Sequence, residues 1–271
     1  MQAVSVNRLV LFTGGGTAGH VFPALAILDQ LVQVRDVDVE WVGGSAGMER
    51  SLVESHRIEQ EIGGPRVVPY HGIPTGKLRR YLSVRNVVDL FKVVGGLVAS
   101  IWLIARRRPL LLFSKGGFVS VPPVIAAALA GVPVITHESD ADPGLATRIH
   151  ARFASRILVA YPGGADHFPP AQRSKVVVTG NPIRRAILEG TADEGLGVAG
   201  FAGSDTRPVV MFLGGSLGAK QINQLVADIS PRILRNWRVI HQTGDPTALQ
   251  VRDGQCYSRA FFATELPGLL A

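Results

Sequence analysis

One device, present twice, constrains this 271-residue chain more than any other feature: an apolar run, a glycine-rich loop, then apolar residues at helical spacing. Arg8-Leu-Val-Leu-Phe12 leads into Thr13-Gly-Gly-Gly-Thr-Ala-Gly-His20, and residues 21–34 follow with a helical pattern. Pro208-Val-Val-Met-Phe-Leu213, Gly214-Gly-Ser-Leu-Gly218 and residues 219–229 repeat the order. An unbroken apolar run suits a strand buried on both faces. Glycines let the chain turn tightly into the helix. Pro23 falls near the first helix start, where proline is tolerated. Further apolar runs at 38–42, 110–113, 132–136, 157–160 and 175–179 alternate with helical stretches. Such alternation implies βαβ units and parallel sheets covered on both faces. The fold class expected is α/β, with two Rossmann-like doubly wound parallel-sheet domains, the second incomplete.

Residues 189–207 change character. Glu189-Gly-Thr-Ala-Asp-Glu-Gly195 and Gly203-Ser-Asp-Thr-Arg-Pro208 are polar and glycine-rich, which reads as a linker. The expected division is therefore 1–188 for the N-terminal domain, 189–207 for the linker and 208–271 for a partial C-terminal domain. The last segment has room for two or three βα units, and it stops in what reads as the start of a helix, so the second domain reads as truncated.

Composition limits the partners. A net charge of +7 favours anionic ones. The single cysteine, Cys256, excludes an intramolecular disulfide and a thiolate zinc cluster. The first apolar run is too short for a secretory signal. Residues 87–105 are apolar but interrupted by Asp89, Lys92 and Gly95-Gly96, so they do not read as a spanning helix.

Each glycine loop opens a helix, where unpaired N–H groups and the helix dipole favour an anion. Neither loop is a clean dinucleotide fingerprint or a Walker A loop, and Glu40 is the one feature that speaks for a dinucleotide-dependent oxidoreductase. His20, at the first helix start, is a candidate general base or a structural histidine. Lys115, in Ser114-Lys-Gly-Gly117, stands at a strand's carboxyl end, where it meets an anion or solvent. Arg184 and Arg185, after Gly180-Asn-Pro-Ile, either reach a diphosphate or form a surface pair. His137-Glu-Ser-Asp140 does not read as a metal site, because adjacent strand residues face opposite ways. Gly76-Lys-Leu-Arg-Arg-Tyr-Leu-Ser83 with Arg85 mixes cations and apolar residues, as a membrane-surface segment or an ordinary amphipathic helix does.

These motifs together with His71-Gly-Ile-Pro-Thr-Gly-Lys-Leu-Arg-Arg80, Phe118, Pro143-Gly144 and His241-Gln-Thr-Gly244 occur in an order that resembles the MurG family over nearly the whole chain. The resemblance implies GT-B architecture with a cleft between two domains. It implies inverting transfer of N-acetylglucosamine from UDP-N-acetylglucosamine to the C4 hydroxyl of lipid I, giving lipid II for peptidoglycan. No metal or other cofactor and no nucleic acid is implied. The family is peripheral on the cytoplasmic face of the cell membrane, and Lys77, Leu78, Arg79, Arg80, Tyr81 and Leu82 fall in its membrane and acceptor region. His20 matches the loop histidine, a base or acceptor contact. Thr17, Ala18 and Gly19 match the first-loop donor contacts. Arg184 matches the arginine of Asn-Pro-x-Arg, and Ser216 the serine of the second glycine loop. Asp140 stands where many members have Asn. Family members continue past residue 270 with elements that hold the ribose, so the alternative expected is an impaired chain that binds only membrane and acceptor.

Overall fold

The computed structural model describes residues 8–58, 64–76, 84–215 and 218–271, with side chains of 84–88 excepted. The chain forms two compact units, Met1–Pro182 and Ile183–Ala271.

Unit 1 is built on seven parallel strands: β1 (Leu9–Thr13), β2 (Asp38–Gly44), β3 (Tyr70–Ile73), β4 (Leu111–Ser114), β5 (Val134–Glu138), β6 (Arg156–Val159) and β7 (Val176–Val178). Their order is β3-β2-β1-β4-β5-β6-β7. Every residue of β1 is buried, because neighbouring strands flank it and apolar layers cover both faces. One layer centres on Phe12, Leu25, Leu28 and Trp41, the other on Leu11, Ile104, Leu112 and Ile157. The expected strands all form, each within two residues of its expected ends.

Helix α1 (Ala18–Val34) buries Val21, Ala24, Leu25 and Leu28, the spacing of one helical face. It begins earlier than its apolar pattern, so Pro23 lies in the second turn, where its ring offers no N–H to the Gly19 carbonyl. Helix α2 (Met48–Ser55) follows β2. Helix α3 (Val84–Arg107) buries Gly96, Ser100, Leu103 and Ile104 along one side. It ends at Arg108, whose φ of 47° is the left-handed conformation that terminates helices. Arg107 pairs with the buried carboxylate of Glu40, which also bonds His71 Nε2 at 2.7 Å. Glu40 is thus spent inside the unit, away from any ribose role. Helices α4 (Val121–Leu129) and α5 (Leu145–Phe153) complete the covering layers named here.

Unit 2 opens with α6 (Arg185–Glu189) and α7 (Ala192–Ala199), then β8 (Val209–Leu213), α8 (Lys220–Ile233), β9 (Arg238–Gln242), β10 (Val251–Arg252), β11 (Cys256–Arg259) and α9 (Leu266–Leu270). Its sheet runs β8-β9-β11-β10, parallel except for β10. The stretch 189–207, expected to be a linker, is instead folded into this unit. Thr191 and Glu194 form a reciprocal capping box that starts α7, and Ala199 and Phe201 enter the core with Ile240, Tyr257, Phe262 and Leu269. The Thr-x-x-Glu signature is visible in the sequence, and the surrounding glycines obscured it.

Candidate functional site

The strand order of unit 1 reverses at β1 and β4, and open α/β sheets bind ligands beyond the carboxyl ends of strands at such a point. Three loops converge there: 14–17 after β1, 115–117 after β4 and 139–144 after β5.

The first loop is held by a residue from elsewhere. Glu49, in the first turn of α2 and 0% exposed, accepts from Gly16 N at 3.2 Å and from Gly44 N at 3.0 Å. Its carboxylate lies so close that a Cβ at Gly15 would come within 2.6 Å of Glu49 Cδ. A side chain at Gly15 would therefore displace the Glu49 carboxylate from its two amides. A buried charge of this kind is tolerated because both oxygens are hydrogen-bonded. The Tyr70 hydroxyl ties the same corner by donating to the Gly44 carbonyl at 2.8 Å.

His20 lies in the first turn of α1 and is half-buried. Its ring lies beside Gly116 and Gly117, whose φ values of 97° and 85° carry the second loop past it. Burial is the largest influence on this imidazole and pushes its pKa below the ordinary value. The Lys115 ammonium pushes the same way, while Glu138, a hydrogen bond to the Lys115 backbone and Asp140 oppose. Lys115 itself is 1% exposed, and its Nζ donates to Ser139 Oγ at 2.7 Å. Burial brings its pKa down to about 8 against the pull of Glu138 and Asp140. The sequence alone left Lys115 free to be solvated, and the fold removes it from water.

Glu138 and His150 are the framework around this pair. Glu138 accepts from Asp140 N, Gly144 N and Thr147 Oγ1, at 3.1, 3.1 and 2.6 Å, which fixes the third loop and the start of α5. His150, fully buried, lies 3.4 Å from Ser114 Oγ and 3.3 Å from Thr136 Oγ1 through Nδ1, and 3.4 Å from Ser120 Oγ through Nε2. Burial lowers its pKa to about 3. His137 donates from Nε2 to the Gly180 carbonyl at 3.0 Å, and burial lowers it to about 4. Both rings are neutral at pH 7.

Thr17, Ala18 and Gly19 stand at the N-terminus of α1 in the same place. Thr17 is the exposed N-cap residue, and its hydroxyl makes no capping bond. Asp140 is on the third loop. The fold thus brings His20, Thr17, Ala18, Gly19 and Asp140 together in unit 1, with Lys115 beneath them. Arg184 is the N-cap residue of α6 in unit 2, half-buried, with its pKa lowered by that burial. Ser216 lies outside the described residues, as do Lys77, Leu78, Arg79, Arg80, Tyr81 and Leu82.

In unit 2 neutral side chains of the adjacent strand end and of α8 brace the Gly215 end of the loop after β8 and the strand end beside it. Gln242 Nε2 donates to the Gly215 carbonyl at 3.0 Å, and its Oε1 accepts from Phe262 N at 2.9 Å. Asn223 Nδ2 donates to the Thr243 carbonyl at 2.8 Å, while its Oδ1 meets His241 Nε2 at 3.0 Å. The His-Gln-Thr-Gly motif is thereby the support of the glycine loop.

Sequence reasoning missed Glu49, Thr147 and His150. A lone acid in a helix and a histidine on a helix carry no local signal, since their partners are distant in the chain. Among the described residues no group of three or more His, Cys, Asp or Glu could hold a metal ion, and no helix is long and apolar enough to cross a membrane.

Residues 10–159 match the family model of the glycosyltransferase family 28 N-terminal domain. The chain is 43% identical to the UDP-N-acetylglucosamine--N-acetylmuramyl-(pentapeptide) pyrophosphoryl-undecaprenol N-acetylglucosamine transferase of Treponema pallidum strain Nichols, across 98% of this chain and 69% of that one. The protein of the same name in Treponema denticola is 42% identical, across 94% and 65%. The chain thus spans about two thirds of the length of these relatives. Among solved structures, MurG of Acinetobacter baumannii aligns with a TM-score of 0.59 and 26% identity, across 88% of this chain and 59% of that one. The UDP-GlcNAc 2-epimerase of Methanocaldococcus jannaschii, 10% identical with a TM-score of 0.55, shares the fold alone.

Proposed function

The chain belongs to glycosyltransferase family 28, among the N-acetylglucosamine transferases that carry the MurG name, and from that membership we propose that it transfers N-acetylglucosamine from UDP-N-acetylglucosamine to lipid I, forming lipid II. The observation that carries this reading is the convergence on one switch point of a glycine loop, a helix N-terminus and a half-buried neutral-leaning histidine. In the reaction the acceptor C4 hydroxyl attacks the anomeric carbon of the donor. The new C–O bond forms as the bond to the UDP oxygen breaks, so the centre inverts. His20 takes the hydroxyl proton, and UDP leaves with the electron pair. Within unit 1 the loop amides and the helix N-terminus after β1 suit phosphate charge, and Thr17, Ala18 and Gly19 are its candidate donor contacts; Arg184 and Ser216 are the candidate diphosphate contacts carried by the rest of the chain. Asp140, on the 139–144 loop, is a further candidate donor contact. The family resemblance implies no metal, and a chelator is expected to leave the rate unchanged.

The reading also places the chain on the cytoplasmic face of the bacterial membrane as a peripheral protein. Its support is an exposed apolar stripe on α3, with Phe91 72% and Trp102 64% exposed, and Val94, Val98 and Ile101 beside them. Lys92 lies on the same helix, and Arg106 stacks over Trp102. Such a mixture suits an anionic lipid surface, and Lys77, Leu78, Arg79, Arg80, Tyr81 and Leu82 precede it in the chain. The test is an assay with a lipid I analogue and labelled UDP-N-acetylglucosamine. Labelled lipid II is expected. A version extended to the length of the relatives that also forms none would overturn the assignment. Changing Phe91 and Trp102 to Ser should abolish sedimentation with anionic vesicles, and unchanged binding would remove α3 from the membrane surface.

A further inference from the structure

A lysine ammonium is costly to take out of water, and it is kept charged inside a protein when something uses the charge. Lys115 is among the largest fully buried side chains of unit 1. Among the described residues its ammonium makes one hydrogen bond, to Ser139 Oγ, which leaves two of its three donors unused. The carboxylates that face it are Glu138 and Asp140. Glu138 already accepts from three other donors, so Lys115 is not one half of a closed ion pair. The chain makes a second investment at the same point. The Lys115 side chain packs against the Gly14 position, and the two left-handed glycines after it lie against the His20 ring.

We infer that Lys115 is the positioning residue of His20: the loop it opens holds the imidazole beside Gly116 and Gly117, and its buried ammonium is the cation that faces that ring. This rests on the reading of His20 as the base, because a base must be unprotonated when the acceptor arrives. The groups that face His20 are Lys115 from the end of β4, Glu138 and Asp140 from the end of β5, and His150 from α5. His137 also faces Lys115 and, like His150, is uncharged at neutral pH. The two carboxylates favour imidazolium, so Lys115 is the one facing group whose charge opposes it there. With a pKa of about 8, Lys115 remains charged across the range in which an imidazole ordinarily titrates.

The decisive experiment is an NMR titration of the His20 ring in the full chain, which needs no turnover. Lys115→Met should move the His20 midpoint to higher pH, and Asp140→Asn should move it to lower pH. In the transfer assay the acid limb of kcat should follow the same shift in Lys115→Met, with about a tenfold loss at pH 6 that recovers at higher pH, while KM for the donor stays within about twofold. A folded Lys115→Met whose His20 titrates as in the wild type overturns the inference. Should that variant not fold, Lys115→Gln decides, and an unmoved His20 midpoint there is equally fatal. If the midpoints move as expected in a chain that transfers no sugar, Lys115 stands as the positioning residue and the transfer reading fails.

Discussion

The two glycine loops share a local design and differ in what holds them. The loop after β1 is braced by buried ionisable groups: Glu49, which ties its Gly16 amide to that of Gly44 at the end of β2, and Lys115 and Glu138 near His20. The loop after β8 is braced by the amides of Gln242 and Asn223, with His241 and Thr243 behind them. Charged bracing inside a low-dielectric site moves neighbouring pKa values, and neutral bracing fixes dipoles without moving charge. The first design suits a place where a proton changes hands. The second suits a cradle for charge that is already present on a diphosphate.

The largest effect should come from the proton-handling side. His20→Ala is expected to lower kcat by about 10²- to 10⁴-fold with little change in KM, measured by steady-state transfer. A loss confined to KM would make His20 a ligand contact and erase the contrast between the loops. Next, Glu49→Ala leaves the amides of Gly16 and Gly44 without their acceptor. It should cost unit 1 about 3 kcal/mol in denaturant unfolding, and a change under 1 kcal/mol would show that Glu49 is not the brace.

Acid should separate the units further. The folded-state pKa of His150 lies below its unfolded value near 6.5. The unfolded state therefore binds the proton first, and stability falls as pH drops below 6.5 toward the folded pKa of about 3. Between pH 7 and 5 the wild type should lose about 2 kcal/mol more than His150→Gln; parallel stability curves would refute this. The smallest effect belongs to unit 2, where Gln242→Ala removes two neutral hydrogen bonds. It should cost about 1 to 2 kcal/mol and raise KM for UDP-N-acetylglucosamine while leaving the pH profile in place. A shifted profile would mean that the second loop also handles protons.

Much of the fold was legible because its signals are local. Apolar runs such as Leu9–Phe12 and Val209–Leu213 mark buried parallel strands, and their order along the chain implies the βαβ topology. His20 was legible as a candidate because it falls at a helix start after glycines. Helix α7 was not legible and its segment read as a linker, since Gly190, Gly195 and Gly203 outweighed the capping box that Thr191 and Glu194 form between them. Glu49 was also invisible, because its partner Gly16 lies 33 residues away and nothing local marks the pairing.

By itself the sequence determined two strand–glycine loop–helix units, a net positive charge and the family motifs in order. Each of these depends on residues near one another in the chain, where spacing alone sets what side chains and amides can do. Only the tertiary structure decided which charges are buried. In the sequence Lys115 is a strand-end cation that meets either an anion or solvent; the fold buries it beside Ser139 and the His20 ring. The physical reason is that the cost and the reach of a charge depend on the dielectric around it, and that environment is assembled from segments the chain keeps far apart.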